Sequence, residues 1–391
     1  MAYFQPSDYK NYHLNALNKR WFRPEDLIAF FEQLGALKNW RRTLLGNSFL
    51  GKPIHAYHFG DGPTRILIWS QMHGNEPTAT HALLEMIAFI EKNDFPTQLS
   101  NWSKELSICV IPMLNPDGAA LFTRENAQGI DMNRDAVARQ TPEMQAFFDF
   151  VASWKPQWAF NLHDQRTIFN CAGSERPATI SFLAPSANPD RKRTPEQQLG
   201  IGLIDKLTTY IRPFIRGHQA RFTDEYYPKA LGEYFMRNEI PCVLIESGPF
   251  YDDPYRTMAR KLNFLCLMES FNQLSTLLKA DEEEAYFDLP KNAKHNVDIL
   301  YRNAEISMDG KVFQADVALL QQEKPNFEMN KLEYTYVIEG IGDLSHLNGL
   351  KTMENVQIEA SEGSFRKGEK ANLRVTQVGK FTYYRAGRLL Q

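Results

Sequence analysis

Apolar residues cluster in short runs that alternate with segments of helical spacing. Ile66-Leu67-Ile68-Trp69 opens a run of strand character that stops at Met72, and apolar residues then recur with helical period over residues 79–90. Pro77 between them suits the first turn of a helix, where its missing N–H is not needed. His73 and Glu76 thus fall on a strand-to-helix corner. A second run, 106–112, ends in the turn residues Asn115-Pro116-Asp117-Gly118. A third, 158–162, ends in His163 and Asp164. A fourth, 242–245, ends in Glu246-Ser247-Gly248-Pro249. Helix-start signals precede other periodic segments: Pro24-Glu25-Asp26, closed by Gly35; Thr141-Pro142-Glu143, with Phe147, Phe148, Phe150 and Val151 directed at a core; and Thr194-Pro195-Glu196, running to Ile211. Residues 41–45 and 54–59 read as hairpin-linked strands. Apolar strands interleaved with helices predict an α/β layer fold with a mostly parallel or mixed sheet.

The pattern changes near residue 280. A helix predicted over 253–279 ends, and Asp281-Glu282-Glu283-Glu284 opens a charged linker, 281–295. From 296 to 391, short alternating segments such as Val297-Asp298-Ile299-Leu300-Tyr301 and Phe381-Thr382-Tyr383-Tyr384 predict a small β-rich domain that shows no recognisable chemistry. The expected organisation is therefore a catalytic domain over 1–280, with a helical segment at 1–39, then the linker and the β domain.

Composition narrows the function classes. The chain has 391 residues and a net charge of −3, which argues against nucleic acid or an anionic membrane surface as partner. No apolar run approaches the roughly 18 residues of a membrane span. Met1 to Asp8 lacks a basic segment followed by an apolar core, so no signal peptide is expected. Cys109, Cys171, Cys242 and Cys266 are scattered and form no Cys-x-x-Cys, which fits a reduced, cytoplasmic setting.

Three of the four apolar strands end in His73, His163 or Glu246, where ligands collect in open α/β sheets. A hydrolytic zinc site needs about three protein ligands and an open position for water. His73, Glu76 and His163 can supply the ligands for one Zn²⁺ per chain. Glu246 is a strand-end carboxylate free to take a proton from the zinc-bound water. Arg124 offers a cation where an oxyanion develops, and Asp131 is a candidate to orient a ligating histidine. The competing reading is a capped helix whose Glu76 complements the helix dipole and whose His73 is merely polar.

His73-Gly74-Asn75-Glu76, Asn115-Pro116-Asp117-Gly118, Ile130-Asp131-Met132-Asn133-Arg134, Leu162-His163 and Leu244-Ile245-Glu246, in this order, resemble the motifs of the zinc metallocarboxypeptidase family. The resemblance covers roughly residues 40–275. It implies an α/β/α fold with a mixed eight-stranded sheet, one zinc, and hydrolysis of a C-terminal amide bond. It implies His73, Glu76 and His163 as zinc ligands, Glu246 as the group that activates water, and Asp131 as the carboxylate orienting the first histidine. Asn133 and Arg134 correspond to the pair that clamps the substrate's terminal carboxylate, a task suited to a guanidinium fork. Arg124 is the arginine between the Asn-Pro-Asp-Gly turn and the Asn-Arg pair, where the family's oxyanion arginine lies. Tyr227, in Tyr227-Pro228-Lys229-Ala230-Leu231-Gly232, looks like the closing tyrosine of the bacterial murein-peptide branch, with Tyr226 beside it as a competitor.

Glu246-Ser247-Gly248-Pro249 also resembles the Glu-x-Gly-Pro end of the aspartoacylase and succinylglutamate desuccinylase branch, which cleaves N-acyl amino acids. The turn at 115–118 and the candidate tyrosine favour a peptidase over such a deacylase; a non-catalytic, zinc-retaining binding protein is a third alternative. The expected substrate is a peptide or N-acyl amino acid with a free carboxylate, held in an open groove with Tyr227 at its edge and the β domain shaping one wall.

Overall fold

In the computed structural model the described residues are 3–276, 284–361, 363, 365–377 and 380–390. They divide into two units: 1–165 with 178–248 and 253–292, and 166–177 with 249–252 and 293–391.

The first unit is built on an eight-stranded mixed sheet. Two short 3₁₀ turns, Pro6–Asn11 and Asn15–Leu17, precede helix α1 (Pro24–Leu34), and then come β1 (Arg41–Asn47) and β2 (Pro53–Phe59), an antiparallel hairpin. β3 (Thr64–Trp69), α2 (Thr78–Lys92), α3 (Pro96–Glu105), β4 (Leu106–Ile111), α4 (Pro116–Leu121), α5 (Pro142–Trp154) and β5 (Trp158–Asp164) follow. After β5 the chain enters the second unit, which holds the two-residue strand β6 (Asn170–Cys171). It returns with β7 (Ile180–Leu183), α6 (Pro195–Ile211), β8 (Gln219–Arg221), α7 (Leu231–Arg237), β9 (Cys242–Ser247) and α8 (Thr257–Leu274). The strand order is β1-β2-β4-β3-β5-β9-β7-β8, and β4, β3, β5 and β9 run parallel.

Strands of a sheet covered on both faces read as continuous apolar runs; Ile66 to Trp69 are buried without exception. On one face Trp69 packs between Phe147 of α5 and Phe235 of α7, with ring centroids 5.4 and 5.3 Å away. On the other, α2 packs against α8, as in the Phe89–Phe264 contact at 5.9 Å. The chain leaves β3 toward β4 and later returns to β5 on β3's opposite side, so loops diverge between β3 and β5 and open a crevice at their carboxyl ends.

Local chemistry moves several boundaries from their expected positions. β3 stops at Trp69, and Pro77 is the N-cap of α2 instead of its first residue. Asn115 to Gly118 is a helix start, not a free turn: Asn115 Oδ1 accepts the Gly118 N–H at 2.8 Å, and Pro116 is the first residue of α4. Phe147 and Phe148 are buried, whereas Phe150 and Val151 are only half-buried. α8 begins at Thr257 because the Asp253 carboxylate sits outside the helix and accepts the Thr257 and Met258 N–H groups at 2.8 and 2.7 Å. The predicted extension to 279 and the charged run 281–283 fall partly or wholly outside the described residues. The rest of the presumed linker is not one throughout. A short helix, α9 (Glu284–Phe287), belongs to the first unit; Tyr286 is buried and its N–H donates to Asp205 Oδ1 at 3.1 Å.

The second unit is a curled β-structure. After the two-residue strand β10 (Asn292–Ala293) come β11 (Asn296–Met308), β12 (Lys311–Asn326), β13 (Lys331–Gly342), β14 (Asn348–Glu354), β15 (Gln357–Ala360), β16 (Leu373–Gln377), β17 (Lys380–Arg385) and β18 (Arg388–Leu390). β14 and β15 pair with successive halves of β11, both parallel. The sheet curls back on itself where Tyr336 donates its N–H to the Gly387 carbonyl at 2.7 Å. Its core includes Tyr301, Ile306, Leu319, Ile338 and Tyr384, and the Tyr301 and Tyr384 hydroxyls meet at 2.8 Å. The segment after β5 joins this unit through the Asn296 N–H, which donates to the Ile168 carbonyl at 3.1 Å.

Candidate metal centre

The corner between β3 and α2 carries His73 and Glu76, and the carboxyl end of β5 carries His163. Gly74 lets this corner fold down, since a Cβ there would collide with the backbone of Gly118 and Ala119. His73 Nδ1 lies 2.8 Å from Glu76 Oε1, and His163 Nδ1 lies 2.9 Å from Glu76 Oε2. The two Nδ1 atoms face each other at 3.2 Å. Among the described residues this trio is the one group of His, Cys, Asp or Glu whose donor atoms all converge, within 4.8 Å of one another.

These distances suit zinc. Two ligands on a tetrahedral ion, each about 2.0–2.1 Å away, stand roughly 3.3 Å apart. The chemistry of the donors suits it too: two imidazole nitrogens that face each other gain from a shared cation, and nitrogen and carboxylate oxygen are zinc donors. His73 turns its other nitrogen, Nε2, to Asp131 Oδ1 at 3.2 Å, the outward partner a ligating histidine requires. The donor set therefore fits zinc as the cofactor.

Burial pulls His73 toward neutrality, but the charge of Glu76 and hydrogen bonds with Asp131 and Glu76 outweigh it, and its pKa is raised. Burial lowers the pKa of His163 despite the same carboxylate. Burial opposes ionisation of Glu76, yet the two histidines hold its pKa well below the ordinary value. Glu76 is therefore held as an anion between the two histidines. Arg124 already turns a cation toward it, with Nη1 3.1 Å from His73 Nδ1 and 3.4 Å from Glu76 Oε1, while its Nε donates to Asp131 Oδ2 at 3.0 Å. Burial opposes ionisation of Asp131 too, but its bond with His73 and the charges of His73, Arg124 and Arg134 prevail, and its pKa is lowered.

Glu246 stands next to this cluster by sheet register. It pairs with His163 across β5–β9 and with Ser181 across β7–β9, so the three side chains form a row on one face. It is buried, and its Oε2 has no hydrogen-bond partner among the described residues. Burial, then the charges of Glu76 and Asp164, push its pKa well above the ordinary carboxyl value.

The expected carboxylate clamp is more tied down than its sequence suggests. Asn133 Oδ1 accepts the Leu231 N–H at 3.0 Å and so holds the start of α7. Arg134 is exposed, donates to the Asn133 carbonyl at 2.7 Å, and lies 4.7 Å beneath the Tyr227 ring. The Tyr227 hydroxyl donates to Glu225, whereas Tyr226 turns to Arg237 at 3.5 Å. Of the two neighbouring tyrosines, Tyr227 is thus the one stacked on the guanidinium.

Sequence reasoning left the role of Asp164 open and missed Arg20, Thr78 and Arg256. The Asp164 N–H donates to Glu76 Oε2 at 3.1 Å. Its Oδ2 accepts from Thr78 at 2.7 Å and Arg20 at 2.9 Å, with Arg256 at 3.5 Å. Only the adjacency of Asp164 to His163 could have pointed here; nothing in the sequence around Arg20 does.

An α/β/α domain with a His-Glu-His trio that fits zinc at its sheet crevice has counterparts among known proteins. Residues 29–219 match the family model described as zinc carboxypeptidase. The match includes His73, Glu76, Arg124, Asp131, Asn133, Arg134 and His163 and ends before Tyr227 and Glu246. The chain is 27% identical over 106 residues to carboxypeptidase 2 of Trichophyton tonsurans, covering 26% of this chain and 19% of that protein. It is 31% identical over 98 residues to carboxypeptidase SOL1 of Arabidopsis thaliana, covering 23% and 20%. The chain thus spans about a fifth of the length of these curated relatives. Among solved structures, the metallo-carboxypeptidase of Pseudomonas aeruginosa in complex with (2-guanidinoethylmercapto)succinic acid aligns with a TM-score of 0.54 at 17% identity, over 66% of this chain and 70% of that one. The metallo-carboxypeptidase of Burkholderia cenocepacia aligns with a TM-score of 0.53 at 14% identity, over 65% and 70%. These likenesses establish the fold.

Proposed function

We propose that this protein is a zinc-dependent hydrolase that cleaves the C-terminal amide bond of a peptide, with Glu246 as general base. The observation that carries the reading is a buried carboxylate, its Oε2 without a partner among the described residues, set in register beside a His-Glu-His trio whose spacing suits zinc. When bound by His73, Glu76 and His163, zinc would supply Lewis acidity to the scissile carbonyl and to a water molecule. Glu246 accepts the proton of the attacking water and returns it to the leaving amine; its raised pKa suits both halves of that task. Arg124, held by Asp131, turns Nη1 toward the ligand cluster and can neutralise charge growing on the carbonyl oxygen. Arg134 receives the free carboxylate of the departing residue, with Asn133 fixing its backbone against α7. The Tyr227 ring stacks on that guanidinium, placing the candidate closing tyrosine beside the bound carboxylate. The four cysteines are all free and buried, which fits a cytoplasmic setting.

The deacylase-like Gly248-Pro249 has a packing explanation. A Cβ on Gly248 would collide with the Ala178 carbonyl and come within 2.7 Å of the Gln165 amide nitrogen. The glycine is needed for the fold whichever acyl group is cleaved. A panel of tripeptides, γ-glutamyl peptides and N-acyl amino acids, offered to the zinc-loaded protein, tests the reading. Release of the C-terminal residue from a peptide is expected. Efficient cleavage of N-acetyl or N-succinyl amino acids with no cleavage of any peptide would replace the peptidase by a deacylase.

A further inference from the structure

We infer that Arg20 is a positioning residue of the zinc centre, which it reaches from an N-terminal strap; the inference rests on the zinc reading above. The three ligands come from two elements, the β3–α2 corner and the end of β5, and their geometry requires that these elements keep a fixed separation. One buried carboxylate spans the gap. Asp164, the last residue of β5, gives its N–H to Glu76 Oε2, the same oxygen that faces His163 Nδ1. Its own Oδ2 is pinned to the first residue of α2 by the Thr78 hydroxyl at 2.7 Å. Arg20 Nη1 closes the triangle, 2.9 Å from Asp164 Oδ2 and 3.2 Å from Thr78 Oγ1. Both charged side chains are nearly inaccessible, at 5% and 3% exposure, so this pairing is not a screened surface contact.

The neighbours of Arg20 grip the same corner. The Gln71 side-chain amide donates to the Phe22 carbonyl at 2.8 Å and to the Gly74 carbonyl at 2.9 Å. Trp21 Nε1 donates to the Ala119 carbonyl at 2.9 Å, on the helix against which Gly74 packs. Farther up, the strap is anchored away from the site: the Tyr9 hydroxyl and Leu14 N–H bind Glu85 at 2.7 and 2.8 Å, and the Phe4 N–H binds Gln98 at 2.9 Å. Losing strap anchorage can therefore be separated from losing the clamp.

The direction of the effect is diagnostic. Removing a cation near a zinc site favours zinc by charge alone. A loss of affinity in Arg20→Met must then come from geometry. The test is a competition titration of zinc against a chelator on the full chain, with the visible spectrum of the Co²⁺-loaded protein as a second readout. Arg20→Met and Thr78→Val are expected to weaken zinc by roughly tenfold or more, the scale of outer partners of ligands, and to shift the Co²⁺ bands. Arg20→Lys, whose ammonium can donate to both oxygens, should recover most of the affinity. Gln98→Ala should lower Tm and leave zinc affinity alone. Unchanged or tighter zinc binding in Arg20→Met would overturn the inference, as would equal weakening in Gln98→Ala. Should Arg20→Met not fold, Thr78→Val decides the matter in its place, and unchanged zinc affinity there overturns the inference. A wild-type protein that binds no zinc would overturn the zinc reading and this inference with it; zinc binding in the wild type with no effect of either clamp variant overturns this inference alone.

Discussion

Glu246→Gln separates a catalytic carboxylate from a structural one, because the two roles predict different stability. The substitution keeps size and shape. Oε2 has no hydrogen-bond partner among the described residues, so the amide forfeits none there. It also removes a charge that burial and the neighbouring Glu76 and Asp164 disfavour. Stability should therefore hold or rise, where loss of a paired structural carboxylate would cost about 3–5 kcal/mol. Turnover should fall steeply, since the amide cannot accept the water's proton. General acid–base catalysis contributes roughly 10²–10⁴-fold, which is about 3–5 kcal/mol of barrier. The assay pairs the steady-state rate on a cleaved peptide with Tm and zinc content on the same samples. The expected result is at least a hundredfold loss of kcat, full zinc content and an unchanged or higher Tm. A variant that retains zinc and works within about threefold of the wild type would refute the assignment of the base, and a large drop in Tm would refute the electrostatic argument.

The carboxylate clamp predicts that amidating a substrate's C-terminus lowers kcat/KM for the wild type, and that Arg134→Lys lowers it at least about tenfold on the free acid while barely affecting the amide; equal losses on both substrates would remove Arg134 from recognition. Gly74→Ala should destabilise the protein by at least about 3 kcal/mol in urea denaturation, because the added methyl meets backbone atoms of Gly118 and Ala119 that have no side-chain freedom to yield; near-native stability would show that the corner can move. Burial, then the charge of Arg41, lowers the pKa of His58 from 6.5 to about 4. Between those values the native state binds fewer protons than the unfolded one, so this stabilisation is complete above about pH 6.5 and is lost as pH falls toward 4. Urea melts at pH 7 and pH 5 should show a loss of about 1–2 kcal/mol that His58→Phe reduces; an identical pH dependence in the variant would contradict the assignment.

Much of the centre was legible because chemistry at strand ends leaves a one-dimensional trace. An apolar run that stops at a histidine or glutamate marks a buried strand delivering a polar group to a sheet edge, and His73, His163 and Glu246 all carry that mark. Short elements left no such trace. Ile180–Leu183 and Gln219–Arg221 are too brief for periodicity and exist as strands because β9 and β7 are there to pair with them. Asn115 looked like a turn residue because the same side chain favours turns and helix caps, and only its bond to Gly118 distinguishes the two. The Arg20–Asp164 pairing joins positions 144 residues apart. No local signal encodes it, since it depends on how the N-terminal segment packs against the corner.

The central claim is that His73, Glu76 and His163 hold one zinc ion. Anomalous diffraction from crystals of the zinc-loaded protein, recorded at the zinc absorption edge, tests it most directly. One strong peak is expected, about 2.0–2.1 Å from His73 Nδ1, His163 Nδ1 and a Glu76 carboxylate oxygen. A map with no peak among these atoms, or with zinc bound elsewhere and the trio still paired to itself, would contradict it.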